Sequence, residues 1–238
     1  MLINMVNVSK IYPLGNRKVA ALNDVSLDIK AGEFVVIRGQ SGSGKSTLLN
    51  LMSALDNSDS GHVKIKGMQI SQFSESQRAK FRGENIGIIF QSFNLIPVLT
   101  VLENVMYPLT LRGMKKQQAR SLSLSALRDV GIEEFAGQRP SQLSGGQMQR
   151  VAIARAIVSK PALVLADEPT ANLDSKTSST VIQLMYQLNK VHGMTFVIAT
   201  HNDDVMKQAS RLITLEDGQI QQDTQIKSIS LNDQQVQL

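Results

Sequence analysis

The sequence predicts an α/β fold: a mostly parallel core sheet, an antiparallel β subdomain and an inserted α-helical subdomain. Three observations predict it. Apolar residues recur with period two in the first third of the chain and at helical spacing in the middle third, and strand-like and helix-like units alternate in the last third.

In chain order, Val25, Leu27 and Ile29 alternate with Ser26, Asp28 and Lys30, and Val63 and Ile65 with Lys64 and Lys66, as half-buried antiparallel strands do. Between them residues 34–37 are apolar on both faces, the pattern of a strand inside a sheet. A glycine-rich loop follows, and then Leu48, Leu49, Met52 and Leu55 recur at helical spacing until residues 56–61 break the pattern. Residues 91–160 read as mostly helical. Leu102, Val105, Met106 and Leu109 form a short stripe whose helix Pro108 should limit. Residues 121–125 alternate Ser and Leu like a strand, yet Ala119, Leu122, Ala126 and Leu127 fit a helix, and helix is the expectation. Strands are then expected at 162–166, 195–199 and 212–215, with helices near 175–191 and 203–209, an order that makes the sheet parallel. One domain is expected over 1–238: a core with its β subdomain at 1–90 and 161–220, helices at 91–160, and a Gln-rich, partly ordered tail at 221–238.

The 238 residues carry 25 Lys+Arg against 20 Asp+Glu, a net charge of +5, with 42% hydrophobic and 19% charged residues. That is globular composition, with enough chain to bury a sizeable core. The longest apolar runs fall far short of the roughly 18 residues a membrane helix needs. Residues 1–12 lack a signal-peptide layout, and the absence of Cys excludes a disulfide framework, a thiol nucleophile and a Cys-based zinc site. A soluble, cytoplasmic protein is expected. Seven Phe and three Tyr are too few for a base-stacking platform, so no nucleic-acid partner is expected.

Gly39-Gln40-Ser41-Gly42-Ser43-Gly44-Lys45-Ser46 fits G-x-x-x-x-G-K-[ST]. The glycines let successive N–H groups converge on an anion, and the helix beginning near Gly44 adds its N-terminal dipole. Lys45 suits β- and γ-phosphates, the Ser46 hydroxyl suits Mg²⁺, and Thr47 offers a further donor. Asp167 and Glu168 end an apolar strand, where Asp167 can hold Mg²⁺. Pro169 biases Glu168 away from helical geometry, so that it projects into the same crevice and can accept a proton from attacking water. Ser144-Gly145-Gly146-Gln147 has capping-box spacing before the apolar run 148–158. Two glycines in a first turn cost helix propensity, so a close backbone approach is expected, and a second phosphate site with it. One lysine loop and two anion cradles point to two chains arranged head-to-tail.

In order and spacing these motifs resemble an ATP-binding-cassette (ABC) ATPase over nearly the whole chain, implying a P-loop NTPase fold of ABC type. By that resemblance residues 39–47 are Walker A, 163–167 Walker B and 143–147 the signature motif. Glu168 would be the catalytic base, Gln91 the residue that senses Mg²⁺ and water, His201 the switch histidine, and Tyr12 the ring that stacks on adenine. Asp174, in Ala171-Asn172-Leu173-Asp174, would belong to the D-loop, whose commonest form, Ser-Ala-Leu-Asp, differs at the first two positions. Taken singly, Tyr12 also fits a sheet-edge tyrosine, Gln91 a polar loop residue and His201 a neighbour of a helix cap. His62 and His192 read as structural or solvent-facing. The run from Gln91 through Pro97 to Leu109, with Lys10-Ile11-Tyr12-Pro13-Leu14-Gly15, is similar to the branch holding lipoprotein-releasing (LolD-type) and macrolide-exporter (MacB-type) ATPases. The resemblance implies two copies sandwiching two Mg-ATP, a separate transmembrane permease subunit, and a position on the cytoplasmic membrane face through that partner. A cell-wall-hydrolase regulator (FtsE-type) would share this engine. The Rad-fifty or SMC type would need a long coiled coil, and ribosome-acting cassettes usually come in tandem.

Overall fold

A computed structural model describes residues 1–15 and 17–226. The chain opens with β1 (Ile3–Leu14), β2 (Arg17–Ile29) and β3 (Phe34–Arg38), followed by α1 (Lys45–Met52), β4 (Ser60–Ile65), β5 (Met68–Gln69), α2 (Glu75–Asn85) and β6 (Ile86–Ile89). Three helices come next: α3 (Val101–Leu111), α4 (Lys116–Asp129) and α5 (Gly145–Ile157). The last third runs β7 (Leu163–Asp167), α6 (Ser175–His192), β8 (Thr195–Thr200), α7 (Asp203–Met206), β9 (Arg211–Glu216) and β10 (Gln219–Gln225).

Two sheets result. An antiparallel one has the order β2-β1-β4-β5, and a six-stranded one the order β10-β9-β3-β8-β7-β6, parallel except for the β9–β10 pair. The middles of the central strands β3, β7 and β8 are apolar because each of their faces meets a different core. Phe34, Val36, Val164, Ala166, Phe196 and Ile198 pack with α3, α5 and α6. The alternate positions Val35, Ile37, Leu163, Leu165, Val197 and Ala199 pack with α1 and the antiparallel sheet. All parallel strands end at one edge of the sheet, so the loops after β3, β7 and β8 share one crevice.

The helical middle is as expected, and residues 121–125 are helix, inside α4. Pro108 does not end its helix. α3 runs three residues past it to Leu111, held by the Thr100–Glu103 capping box and by buried Val105 and Leu109, which outweigh one missing backbone hydrogen bond. Elsewhere patterning overshot. α1 stops at Met52, the chain turns left-handed at Ala54 (φ 57°), and Leu55 is exposed. α7 stops at Met206, after which Gln208 and Ala209 donate to carbonyls three residues back, tightening the turn. The Gln-rich stretch begins as β10, paired with β9 through Gln225; tail residues 227–238 lie outside the described residues. No helix among the described residues is long and apolar enough to cross a membrane.

At Gly87 in β6 the helical part touches the sheet closely: a Cβ there would lie 2.3 Å from the Ala156 carbonyl oxygen of α5. Backbone cannot swing aside as a side chain can. Gly87→Ala is therefore expected to destabilise the fold by about 1–3 kcal/mol, seen as a lower midpoint in thermal melting; an unchanged midpoint would contradict the packing.

Candidate active site

Walls of the crevice come from residues spread along most of the sequence. Its cavity, about 470 Å³, is lined by the loop after β3, by Gln91, by the Asp167-Glu168 end of β7 and by His201 after β8. Residues 19–21 of β2 close one side.

Two glycines of the loop from Gly39 to Thr47 cannot be replaced without collision. A Cβ on Gly39 would sit 2.3 Å from the Leu215 carbonyl, and one on Gly44 (φ 104°) 2.4 Å from the Ala21 carbonyl. Gly42 (φ 84°) borders open space in the cleft, next to Ser41. Gly44 caps α1 without a side-chain acceptor, so the first-turn N–H groups stay available to an anion. The Ser43 hydroxyl, buried within the loop, has no hydrogen-bond partner among the described residues. Lys45 is 8% exposed, its ammonium donating to the Gly39 carbonyl at 2.7 Å and the Gln40 carbonyl at 3.0 Å. This cradle fits a polyphosphate: bare N–H donors, an open glycine face and one cation converge on it.

Ser46 donates to Asp167 Oδ2 at 2.7 Å, bringing two hard oxygen donors together across 121 residues of sequence. Among the described residues no cluster of three His, Asp or Glu could hold a metal alone. The Ser46–Asp167 pair instead fits Mg²⁺, which keeps waters and phosphate oxygens as its other ligands.

Glu168 is held from three sides. Its N–H donates to the Ala199 carbonyl at 2.9 Å, Thr200 Oγ1 donates to its Oε2 at 3.0 Å, and His201 Nδ1 lies 2.8 Å from its Oε1. A carboxylate only accepts, so in this contact the His201 Nδ1 is the donor. The expectation that Pro169 would keep Glu168 out of helical geometry holds only for the right-handed kind: Glu168 sits at φ 46°. Left-handed backbone on a non-glycine residue is costly and persists where its surroundings fix it.

Gln91 is exposed at the cleft wall, its carbonyl accepting from Asn172 Nδ2 at 3.0 Å. Asp174 caps α6 through the Thr177 N–H at 3.0 Å, and hydrogen bonds from Thr177 hold its carboxyl below the usual carboxylate range. Tyr12 is not among the residues lining the cavity. It sits beside Thr47, with its hydroxyl donating to Asp56 Oδ2 at 2.7 Å and Lys10 Nζ 5.2 Å from its ring centre. Burial pushes the Asp56 carboxyl up, but hydrogen bonds from Lys10, Tyr12 and the Asn57 N–H outweigh it and hold the group low. Burial and the Asp56 hydrogen bond push the Tyr12 phenol up.

Ser144 and Gln147 form the expected capping box, Ser144 N–H to Gln147 Oε1 at 2.8 Å and Gln147 N–H to Ser144 Oγ at 3.3 Å. The structure does not bring them to the Lys45 cleft of their own chain. Within the chain the close approach expected of the glycines is to side chains. A Cβ on Gly146 would lie 2.5 Å from Thr177 Cγ2, and one on Gly145 3.3 Å from Leu173 Cδ2. His192 is 3.8 Å from Asp129, and His62 sits in β4, both away from the cleft. Sequence reasoning missed Thr200, which looks like the end of a buried strand, and the Lys10–Asp56 pair, whose partners lie 46 residues apart.

Comparison with known proteins agrees with this geometry. Residues 22–171 match the ABC transporter family. The chain is 44% identical over 230 residues, 95% of its length and 98% of the relative's, to an ABC transporter ATP-binding protein of Methanocaldococcus jannaschii. It is 41% identical to the lipoprotein-releasing system ATP-binding protein LolD of Pseudoalteromonas translucida, over 92% of this chain and 95% of that one. It is also 42% identical to the macrolide export ATP-binding/permease protein MacB of Syntrophobacter fumaroxidans, covering 92% of this chain but 31% of that longer protein. A dimeric post-hydrolysis structure of the M. jannaschii cassette bound to ADP and Pi superposes with a TM-score of 0.87 at 43% identity, over 95% of this chain and 99% of the other. With a phosphate loop, a Ser–Asp pair and a carboxylate–histidine pair sharing one crevice of this fold, the chain belongs to the ABC transporter family, as an ATP-binding cassette ATPase.

Proposed function

We propose that this cassette works as a head-to-tail dimer around two Mg-ATP and drives a separate transmembrane subunit of the LolD/MacB-like branch. The observation that carries the reading is the gathering of Lys45, Ser46–Asp167, Gln91 and Glu168–His201 around one cavity that lacks Ser144. The lysine loop binds the triphosphate, Tyr12 takes the adenine face, and Ser144 to Gln147 of the second copy supply the other anion cradle, with Asp174 at the contact between copies. A bound Mg²⁺ neutralises charge on the β- and γ-phosphate oxygens, and Ser46, Gln91 and Asp167 would hold it. Glu168 accepts a proton from water as the water oxygen bonds to the γ-phosphorus and the bond to the bridging oxygen of ADP breaks in line. His201, tied to Glu168 through Nδ1, presents Nε2 to the γ-phosphoryl oxygens. Catalysis is by positioning and charge stabilisation.

The dimeric structures of the M. jannaschii relative support the sandwich. The membrane partner is placed against the segment after Gln91, where Val98 is 72% exposed, and against the adjoining groove between α2 and α3, where Tyr107 and Leu111 are exposed. Through that contact the protein sits on the cytoplasmic face of a membrane. The Glu168→Gln protein in saturating Mg-ATP should run as a dimer in size-exclusion chromatography with light scattering. A strict monomer, alone and with its membrane companion, would overturn the reading.

A further inference from the structure

Asn172 occupies one of the two positions where the turn before Asp174 differs from the family's commonest form, and nothing above gives it a task. Its amide donates to the Gln91 carbonyl at 3.0 Å. Two successive turns fix where that amide stands relative to Glu168: Ala171 N–H donates to the Glu168 carbonyl at 3.2 Å, and Leu173 N–H to the Thr170 carbonyl at 3.1 Å. The far side of the Gln91 loop is clamped as well. Phe93 and Asn94 are both left-handed, at φ 59° and 48°, a strained pair for non-glycine residues. Arg155 of α5 donates to both their carbonyls, at 2.7 Å to Phe93 and 2.5 Å to Asn94. Burial pulls this guanidinium below its usual value, and among the described residues no carboxylate pairs with it, so its fork is committed to that backbone. With residues 93 and 94 pinned by Arg155 and Ile89 pinned to Ala166 in the sheet, the peptide plane of Gln91 lies between two fixed points. Asn172 holds the carbonyl of that peptide.

We infer that Asn172 is a positioning residue for Gln91: its amide sets how far the Gln91 side chain enters the cleft and joins that loop to the turn following Glu168. The inference rests on the proposed role of Gln91 at the metal and the attacking water. A neutral hydrogen bond exposed to solvent is modest, so the effect is a graded one, read in turnover and not in binding.

The test uses the full chain. In Asn172→Ala the donor is lost, and in Asn172→Asp an isosteric carboxylate faces the Gln91 carbonyl without a proton to give. Both should lower kcat about three- to tenfold, with KM for Mg-ATP within about twofold and an unchanged melting midpoint. If Asn172 acts through Gln91, the Gln91→Ala/Asn172→Ala double variant is no slower than Gln91→Ala alone. Wild-type kcat in both Asn172 variants beside a slow Gln91→Ala overturns the inference and leaves the role of Gln91 standing. A double variant slower than Gln91→Ala by the whole Asn172 factor also overturns it, as additive losses mean separate actions. Wild-type turnover in Gln91→Ala overturns both.

Discussion

Glu168→Gln should lower ATP turnover by about 10²–10⁴-fold while ATP still binds. Glutamine keeps the shape of the side chain and an oxygen for the Thr200 hydroxyl, so the left-handed turn at Glu168 has no reason to relax. What disappears is the carboxylate oxygen proposed to take the proton from water. The second consequence falls on His201. Where the carboxylate offers an oxygen to both Thr200 and His201, the amide has only one, so the hydrogen bond that holds the His201 ring weakens. Steady-state phosphate release reads the loss of turnover, and equilibrium binding of a fluorescent nucleotide the retained affinity. Full turnover would remove Glu168 from the role of base.

The second large effect is expected at Lys45, and on the other axis. Lys45→Ala removes a charged contact to phosphate, and hydrogen bonds to charged groups are worth about 1.5–3 kcal/mol, so ATP affinity should fall on the order of 10–150-fold. The fold itself loses little, because the Gly39 and Gln40 carbonyls that Lys45 contacts lie on a loop that water reaches. Thermal shift reads this directly. At an ATP concentration about 100 times the wild-type Kd the native protein gains about 2.7 kcal/mol, whereas a variant bound about 100-fold more weakly gains about 0.4 kcal/mol. An undiminished shift would place the triphosphate elsewhere.

How much of this was legible in the sequence depended on whether the signal was local. The lysine loop, the acidic end of β7 and the capping box at Ser144 each lie within a few consecutive residues, and each has the local structure its residue types dictate. The apolar runs of β3, β7 and β8 read as strands because both of their faces are buried, which leaves the interior positions of each strand apolar. The misreadings have equally local causes. Pro108 alone signals a helix limit, which the burial of Val105 and Leu109 around it overrides, and Leu55 continues a helical stripe that Ala54 turns out of line. The glycines at 145 and 146, in their own chain, admit Leu173 and Thr177. Pairings across long separations, Lys10 with Asp56, Asn172 with Gln91 and Arg155 with Phe93, leave no periodic trace and emerge only from coordinates.

Asp167 lies opposite Ala199 in the β7–β8 ladder, and the Glu168 N–H continues that ladder by one more bond to the same residue. Carboxylate and histidine are thus indexed against each other by strand register, like teeth on adjoining racks. Deleting one residue from β8 would shift His201 by about 3.3 Å and exchange the two faces of the strand. Length changes accumulated over evolutionary time should therefore be absorbed in the hairpin between β1 and β2 and shunned along these two strands, whatever cargo a given descendant comes to move.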